Sequence, residues 1–167
     1  QLIQGISVCA AVLATPRMAA RHFDVSEGLI GAVLGMLSHS FDRVIIDLPK
    51  TWFPWTDNVI WGSNYVFVTT NFTVPALRYT RYVLDNVASK VVNGCKVGVI
   101  VNKFRERLLG SGLRKRDAEQ LLRDRLAGFI PDIGDIVQEA INRGIPVSEV
   151  SHGTKLEKSL QQILSDA

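Results

Sequence analysis

Four short β-branched runs, set between longer stretches of helical periodicity, restrict this chain more than any other feature. They are Val8 to Thr15, closed by Pro16; Arg43-Val44-Ile45-Ile46-Asp47-Leu48, closed by Pro49; Tyr65-Val66-Phe67-Val68-Thr69-Thr70; and Lys96-Val97-Gly98-Val99-Ile100-Val101. A weaker run surrounds Gly128-Phe129-Ile130, before Pro131. Apolar runs of this length without clean alternation belong to strands buried on both faces.

Helical patterns fill the intervals. Asp24 can cap a helix, with Glu27 three residues on as a capping-box partner, and Leu29, Ile30, Val33, Leu34 and Leu37 then share one face. Thr73 caps a second helix with Pro75 in its first turn, Ala76, Thr80, Val83, Leu84 and Val87 inward, and Arg78, Arg81 and Asp85 outward. A third helix is expected from about Lys115 to Leu126, and a fourth from after Asp132 to near Asn142, stopped by Gly144 and Pro146. The last runs from Thr154 to Ser165 with Leu156, Leu160, Ile163 and Leu164 on one stripe. Strand–helix–strand alternation implies parallel strands joined by right-handed crossovers. The expected fold is therefore α/β, a doubly wound, mostly parallel sheet flanked by helices. No internal repeat and no linker divides it, so residues 1–167 read as one domain.

Composition closes off several classes. Of 167 residues, 47% are hydrophobic and 21% charged, which is ordinary for a globular chain and unlike a disordered one. The net charge of +3 is too small to require a nucleic-acid or anionic-membrane partner. Cys9 and Cys95 are too few for a disulfide scaffold and fit a reducing compartment. The apolar stretch Leu29 to Leu37 is interrupted by Gly31 and Gly35 and falls short of the ~20 residues of a membrane span. The apolar opening carries no basic flank, so it does not read as a signal peptide.

Ligands of open parallel sheets lie at the carboxyl ends of the strands, where this sequence places Asp47, Thr70-Asn71 and Asn102-Lys103. A carboxylate directly after a hydrophobic strand, like Asp47, is how phosphate-loop NTPases hold Mg²⁺ beside the transferred phosphate; a strand-end Asp also simply caps the next segment. The Asn102 amide offers donor and acceptor to a purine edge, or is a turn residue after a strand. Trp52, Phe53, Trp55 and Trp61 cluster after Asp47, either as a docking surface or folded back over the sheet. Lys103 to Arg125 holds eight basic and four acidic residues. Arg105, Arg107, Arg114, Lys115 and Arg116 can touch phosphates, although interleaved acids suit a solvated helix face. Gly110-Ser111-Gly112 reads as a loop. The final helix has cancelling charges and is better suited to packing on the sheet than to lying on a membrane. There is no Cys/His metal spacing, no G-x-S-x-G and no G-x-x-x-x-G-K-[ST] in the sequence.

Phe41-Asp42-Arg43-Val44-Ile45-Ile46-Asp47-Leu48-Pro49-Lys50-Thr51, followed by Pro54-Trp55-Thr56, resembles a block of the CpaE/TadZ-type pilus-assembly proteins, relatives of the MinD/ParA ATPases. Tyr65 to Thr70, Val74 to Asp85, Val99 to Lys103, Ile130-Pro131-Asp132 and Ala140 to Pro146 are similar to that family's later blocks, in order. Val12-Leu13-Ala14-Thr15-Pro16 resembles its mid-domain strand. The resemblance implies part of a MinD/ParA-like ATPase domain over residues 1–167, with the phosphate-loop part preceding Gln1. Alone, such a chain is expected to be marginal or complemented by further residues. By the same resemblance, Asp47 matches the Walker-B-like acid on the Mg²⁺ and water side. Asn102 matches the base-reading Asn, and Pro131-Asp132 the loop bordering the base. The cofactors implied are ATP and Mg²⁺, provided a phosphate loop is supplied; its Lys, Ser/Thr and switch Asp have no counterpart here, which leaves turnover open.

The function implied is an ATPase-like assembly and positioning factor for Flp/Tad-type pili, with ATP controlling dimerisation and localisation. Its partners would be a second copy and the secretion machinery, in the cytoplasm at the inner membrane face or cell pole. Two alternatives stand beside it: a ParA-like DNA partitioning protein, and a nucleotide-free interaction module of the same fold. The modest charge and the Pro-Trp-Thr block disfavour nucleic acid.

Overall fold

The Lys96 run is deeply buried: Val99 and Val101 are fully buried and Val97 and Ile100 nearly so. The structure, a computed structural model, describes residues 3–7, 10–13, 26–92, 94–105 and 113–165. It divides into two units, Gln1–Ile45 and Ile46–Ala167.

In the larger unit, strands β3 (Tyr65–Asn71), β4 (Lys96–Phe104) and β5 (Leu126–Pro131) form a parallel sheet in the order β3-β4-β5. The register runs from Tyr65 opposite Lys96 to Asn71 opposite Asn102, and Val101 lies opposite Phe129. Helix α3 (Val74–Ala88) connects β3 to β4, and α4 (Lys115–Leu122) with the 3₁₀ turn Arg123–Arg125 leads into β5. As expected, Thr73 caps α3, its Oγ1 accepting from Ala76 N–H at 3.3 Å, with Pro75 in the first turn. Leu77 of α3 and Ala118 and Leu122 of α4 pack on Val99 and Val101. Ile60 of a short helix, α2 (Thr56–Trp61), joins Val87 and Val97 in a second cluster, against which Leu48 packs.

Helices α5 (Gly134–Arg143), α6 (Val147–Val150) and α7 (Lys155–Ser165) follow β5. Gly144, at φ 65°, ends α5 in the left-handed conformation that the Gly–x–Pro signal implied. Helix α7 packs on β5, as its balanced charge suggested: a Cβ at Gly128 would lie 2.7 Å from Ile163 Cγ1. Ile163 is buried and Leu156 half-buried, but Leu160 and Leu164 of the expected stripe are exposed.

The smaller unit holds β1 (Ile3–Ser7) paired with β2 (Ala10–Leu13), and helix α1 (Glu27–Ser40). Ser26 caps α1, accepting from Leu29 N–H at 3.3 Å; Asp24, the expected cap, lies outside the described residues. Ile30, Val33, Leu34 and Leu37 are half-buried, whereas Leu29 is exposed.

Three expectations are corrected. The described part of the first run, Ala10–Leu13, is β2 and pairs antiparallel with β1: the strands are two residues apart, and a parallel connection needs a dozen or more. Arg43 to Leu48 forms no strand, because no described strand pairs with it and a run without a ladder is only extended chain. Helix α4 stops at Leu122, because Arg123 turns out of it at φ 46°, and Leu126 already belongs to β5. The Gly110–Gly112 loop lies outside the described residues.

Candidate functional site

The parallel ladder brings Asn102, Pro131 and Asp132 to one edge, at the carboxyl ends of β4 and β5. Asn102 is half-buried, and its Oδ1 accepts from Lys103 N–H at 2.8 Å. That bond accompanies a left-handed backbone at Lys103, φ 54°, which any residue but glycine adopts at some cost. It also breaks the strand's alternation. The Phe104 ring meets Phe129 at 4.7 Å and Phe72 at 5.1 Å, and the three rings close one side of the edge. The Asn102 amide nitrogen keeps both donors for a ligand, and Oδ1 retains its second lone pair.

Asp132 is held from three sides. Its N–H donates to Phe104 O at 3.0 Å. Its Oδ1 accepts from Gly134 N–H at 3.1 Å, at the start of α5. Its Oδ2 accepts from Arg105 Nε at 2.8 Å, with Asp132 18% exposed and Arg105 77%. A carboxylate engaged this way fixes the loop after β5 and leaves the edge to Asn102 and Pro131.

Asp47 is not drawn into this cluster. It is exposed, on a segment outside the sheet, and among the described residues no hydrogen bond or ion pair reaches it. No three His, Cys, Asp or Glu side chains among the described residues come together as a metal-binding set. Mg²⁺ at nucleotide sites takes one or two carboxylates and fills its octahedron with water and substrate phosphates. A single exposed Asp47 fits a Mg²⁺ carried mainly by a nucleotide, and does not fit one held by protein alone.

The aromatic loop is tied by a carboxylate that sequence reasoning passed over. Asp57 accepts from Trp52 Nε1 at 2.8 Å and from Lys90 Nζ at 2.6 Å. These two donors, Lys90 first, hold its carboxyl below the usual carboxylate range. Phe53 stacks on Trp55 at 5.4 Å, and Thr56 Oγ1, buried, accepts from Phe53 N–H at 3.0 Å. Trp52 is 44% and Trp61 63% exposed, so the cluster is only partly folded back. Lys90 lies 33 positions from Asp57 and Arg105 27 from Asp132, and no local pattern announces either pair.

The described part of the basic segment resolves largely as a solvated face. Arg105 pairs with Asp132, and Lys115 with Glu119 at 3.7 Å while standing over the Phe129 ring. Arg114 N–H donates to Asp117 Oδ2 at 2.6 Å, which caps α4. Arg107 lies outside the described residues. No helix among the described residues is long and apolar enough to cross a membrane.

No protein-family model and no curated protein sequence matches the chain. Solved structures do. A ParA family ATPase from Chlorobium tepidum superposes with a TM-score of 0.81 at 16% identity, covering 97% of this chain and 66% of that one. The cell division ATPase MinD of Pyrococcus furiosus gives 0.66 at 18% identity, with 84% and 57% covered. The septum site-determining protein MinD of Pyrococcus horikoshii, solved with Mg-ADP, gives 0.62 at 16% identity, with 84% and 56% covered. The fold is therefore that of the ParA/MinD ATPases, and the chain spans less than two thirds of each of these structures.

Proposed function

We propose that residues 1–167 are part of one ParA/MinD-type nucleotide-binding domain, acting as an ATP-controlled assembly and positioning factor for a Flp/Tad-type pilus. The observation that carries the nucleotide reading is the convergence of Asn102, Pro131 and Asp132 at the carboxyl edge of a sheet with the ParA/MinD fold. In this reading Asn102 faces the base, Pro131 borders it, and the Arg105–Asp132 pair positions the loop. Asp47 contributes a carboxylate to the water shell of Mg²⁺, which would offset phosphate charge when bound. ATP drives formation of a homodimer, and the partly exposed Trp52 and Trp55 loop meets the secretion machinery. The pilus assignment draws its support from the Asp47-Leu48-Pro49 and Pro54-Trp55-Thr56 blocks.

Calorimetric titration of ATP·Mg²⁺ into the product of the whole reading frame tests this. Binding is expected, weakened about tenfold or more by Asn102→Ala and by Asp47→Ala; absence of binding leaves the nucleotide-free interaction module. The coding DNA upstream of Gln1 sharpens it: an in-frame glycine-rich loop after a β-branched strand supplies the phosphate site, and a frame that opens within a few codons of Gln1 removes ATP hydrolysis from the reading. Trp52→Ala with Trp55→Ala is expected to weaken self- or partner association in ultracentrifugation without unfolding the domain. The extent of the ParA superposition keeps DNA partitioning as the second reading. Duplex binding that falls steeply with salt would favour it.

A further inference from the structure

At the opposite, amino end of the sheet, a cavity of about 270 Å³ opens between the second half of α3 and the turn that leads into β5. Its floor is apolar: Leu84, Val97 and Leu122, the last two 8% and 3% exposed. Arg81, Arg123 and Arg125 stand on its rim with Asp85 and Asp124. None of the three arginines is ion-paired or hydrogen-bonded through its side chain among the described residues, unlike Arg105 and Arg143. Arg123 also has a backbone, φ 46° and ψ −125°, that glycine takes without strain and arginine does not. Its side chain is thereby set at the mouth of the cavity against a local preference.

We propose that this groove docks a short acidic and apolar peptide segment of a partner protein, one apolar side chain entering the cavity and carboxylates meeting Arg81, Arg123 and Arg125. The volume lies just below the ~300–1,000 Å³ of small-molecule pockets, which suits one or two side chains of a segment laid across the surface. Three cations around an apolar floor complement a segment carrying both acids and a hydrophobic anchor, and arginine forks pair with carboxylates in two-point geometry. With Asp85 and Asp124 on the same rim the net charge is small, enough to orient one or two carboxylates and too little to hold a polyanionic backbone, which counts against nucleic acid as occupant. The proposal does not rest on the nucleotide reading.

Selection of random dodecapeptides displayed on phage, panned against the full chain, tests it. Enriched sequences are expected to place Asp or Glu three or four positions from Leu, Ile, Met or Phe. The labelled winner should bind about tenfold more weakly to Arg81→Glu/Arg125→Glu and to Ala88→Phe, which fills the cavity. Arg123→Gly keeps the backbone and removes the charge, so it should weaken binding while raising the melting temperature; it decides the matter if the double variant does not fold. The proposal is overturned if no acidic–apolar motif is enriched, if the winner's affinity is unchanged in the folded variants, or if duplex DNA binds more tightly than the peptide.

Discussion

Val44-Ile45-Ile46-Asp47-Leu48 and Val97-Gly98-Val99-Ile100-Val101 are two runs of the same length and nearly the same character, and they come to opposite ends. The second is the middle strand of the sheet, with Val99 and Val101 at 0% exposure. The first has no ladder, and Ile45 is 95% exposed. Intrinsic preference is alike in the two; partners are not. β4 has β3 on one side and β5 on the other, each brought alongside by a helical connection of suitable length. Only the final residue of the first run, Leu48, reaches a core, packing on the cluster of Ile60, Val87 and Val97. A β-branched run states that a segment is apolar and extended, and pairing decides whether it is a strand.

The sharpest way to break this comparison is truncation at matched positions. Val99→Ala removes buried methyl groups and leaves a cavity, and is expected to cost about 2–3 kcal/mol. Ile45→Ala should change stability by less than about 0.5 kcal/mol. Urea midpoints of the two variants check both numbers. An equal loss at the two positions would show that the first run is buried in solution, and the contrast would collapse.

The same contrast recurs in the glycines. At Gly128 an added Cβ meets Ile163 Cγ1 and Cδ1 at 2.7 and 3.0 Å, whereas at Gly35 in α1 nothing lies within 4 Å. Gly128→Ala is therefore expected to destabilise by about 1–3 kcal/mol through overpacking of α7 on β5. Gly35→Ala should stabilise α1 by up to about 1 kcal/mol through helix propensity. Thermal unfolding followed by circular dichroism reads both; a stabilised Gly128→Ala would mean that α7 does not pack on β5 as described.

Much of this architecture was legible because its signals are local. Thr73-Val74-Pro75 announced α3, Gly144-Ile145-Pro146 ended α5, and the β-branched runs at Tyr65 and Lys96 became β3 and β4. α2 was not legible, since six residues carry too little periodicity to be read as a helix. The end of α4 was missed because Arg123 turns the chain where glycine is the usual marker. At the site, the strand-end positions of Asn102 and Pro131 followed from topology. The ion pairs of Arg105 with Asp132 and of Lys90 with Asp57 bridge distant segments and become visible only with the register.

Asp47 and Asp57 carry the comparison to its smallest expected effect. Asp57 is ionised against two donors, Lys90 and Trp52, whereas Asp47 is exposed on the unpaired run. The folded-state pKa of Asp57 lies below its unfolded value, so folding favours the ionised form. That contribution is complete above the unfolded value, about 3.9, and is lost as pH falls through the lower folded one. Both groups of the pair are more than a third exposed, so Asp57→Asn should cost no more than about 1 kcal/mol at neutral pH, and less in high salt. The gap to wild type should close on acidification below the ordinary carboxylate range. Asp47→Asn should leave stability unchanged at neutral pH, because the side chain is exposed and makes no hydrogen bond or ion pair among the described residues. Melting temperatures of the three proteins across acid pH decide it: a gap for Asp57→Asn that persists in acid would remove the ion pair as its cause, and a stability loss at Asp47→Asn would give that residue a structural role instead.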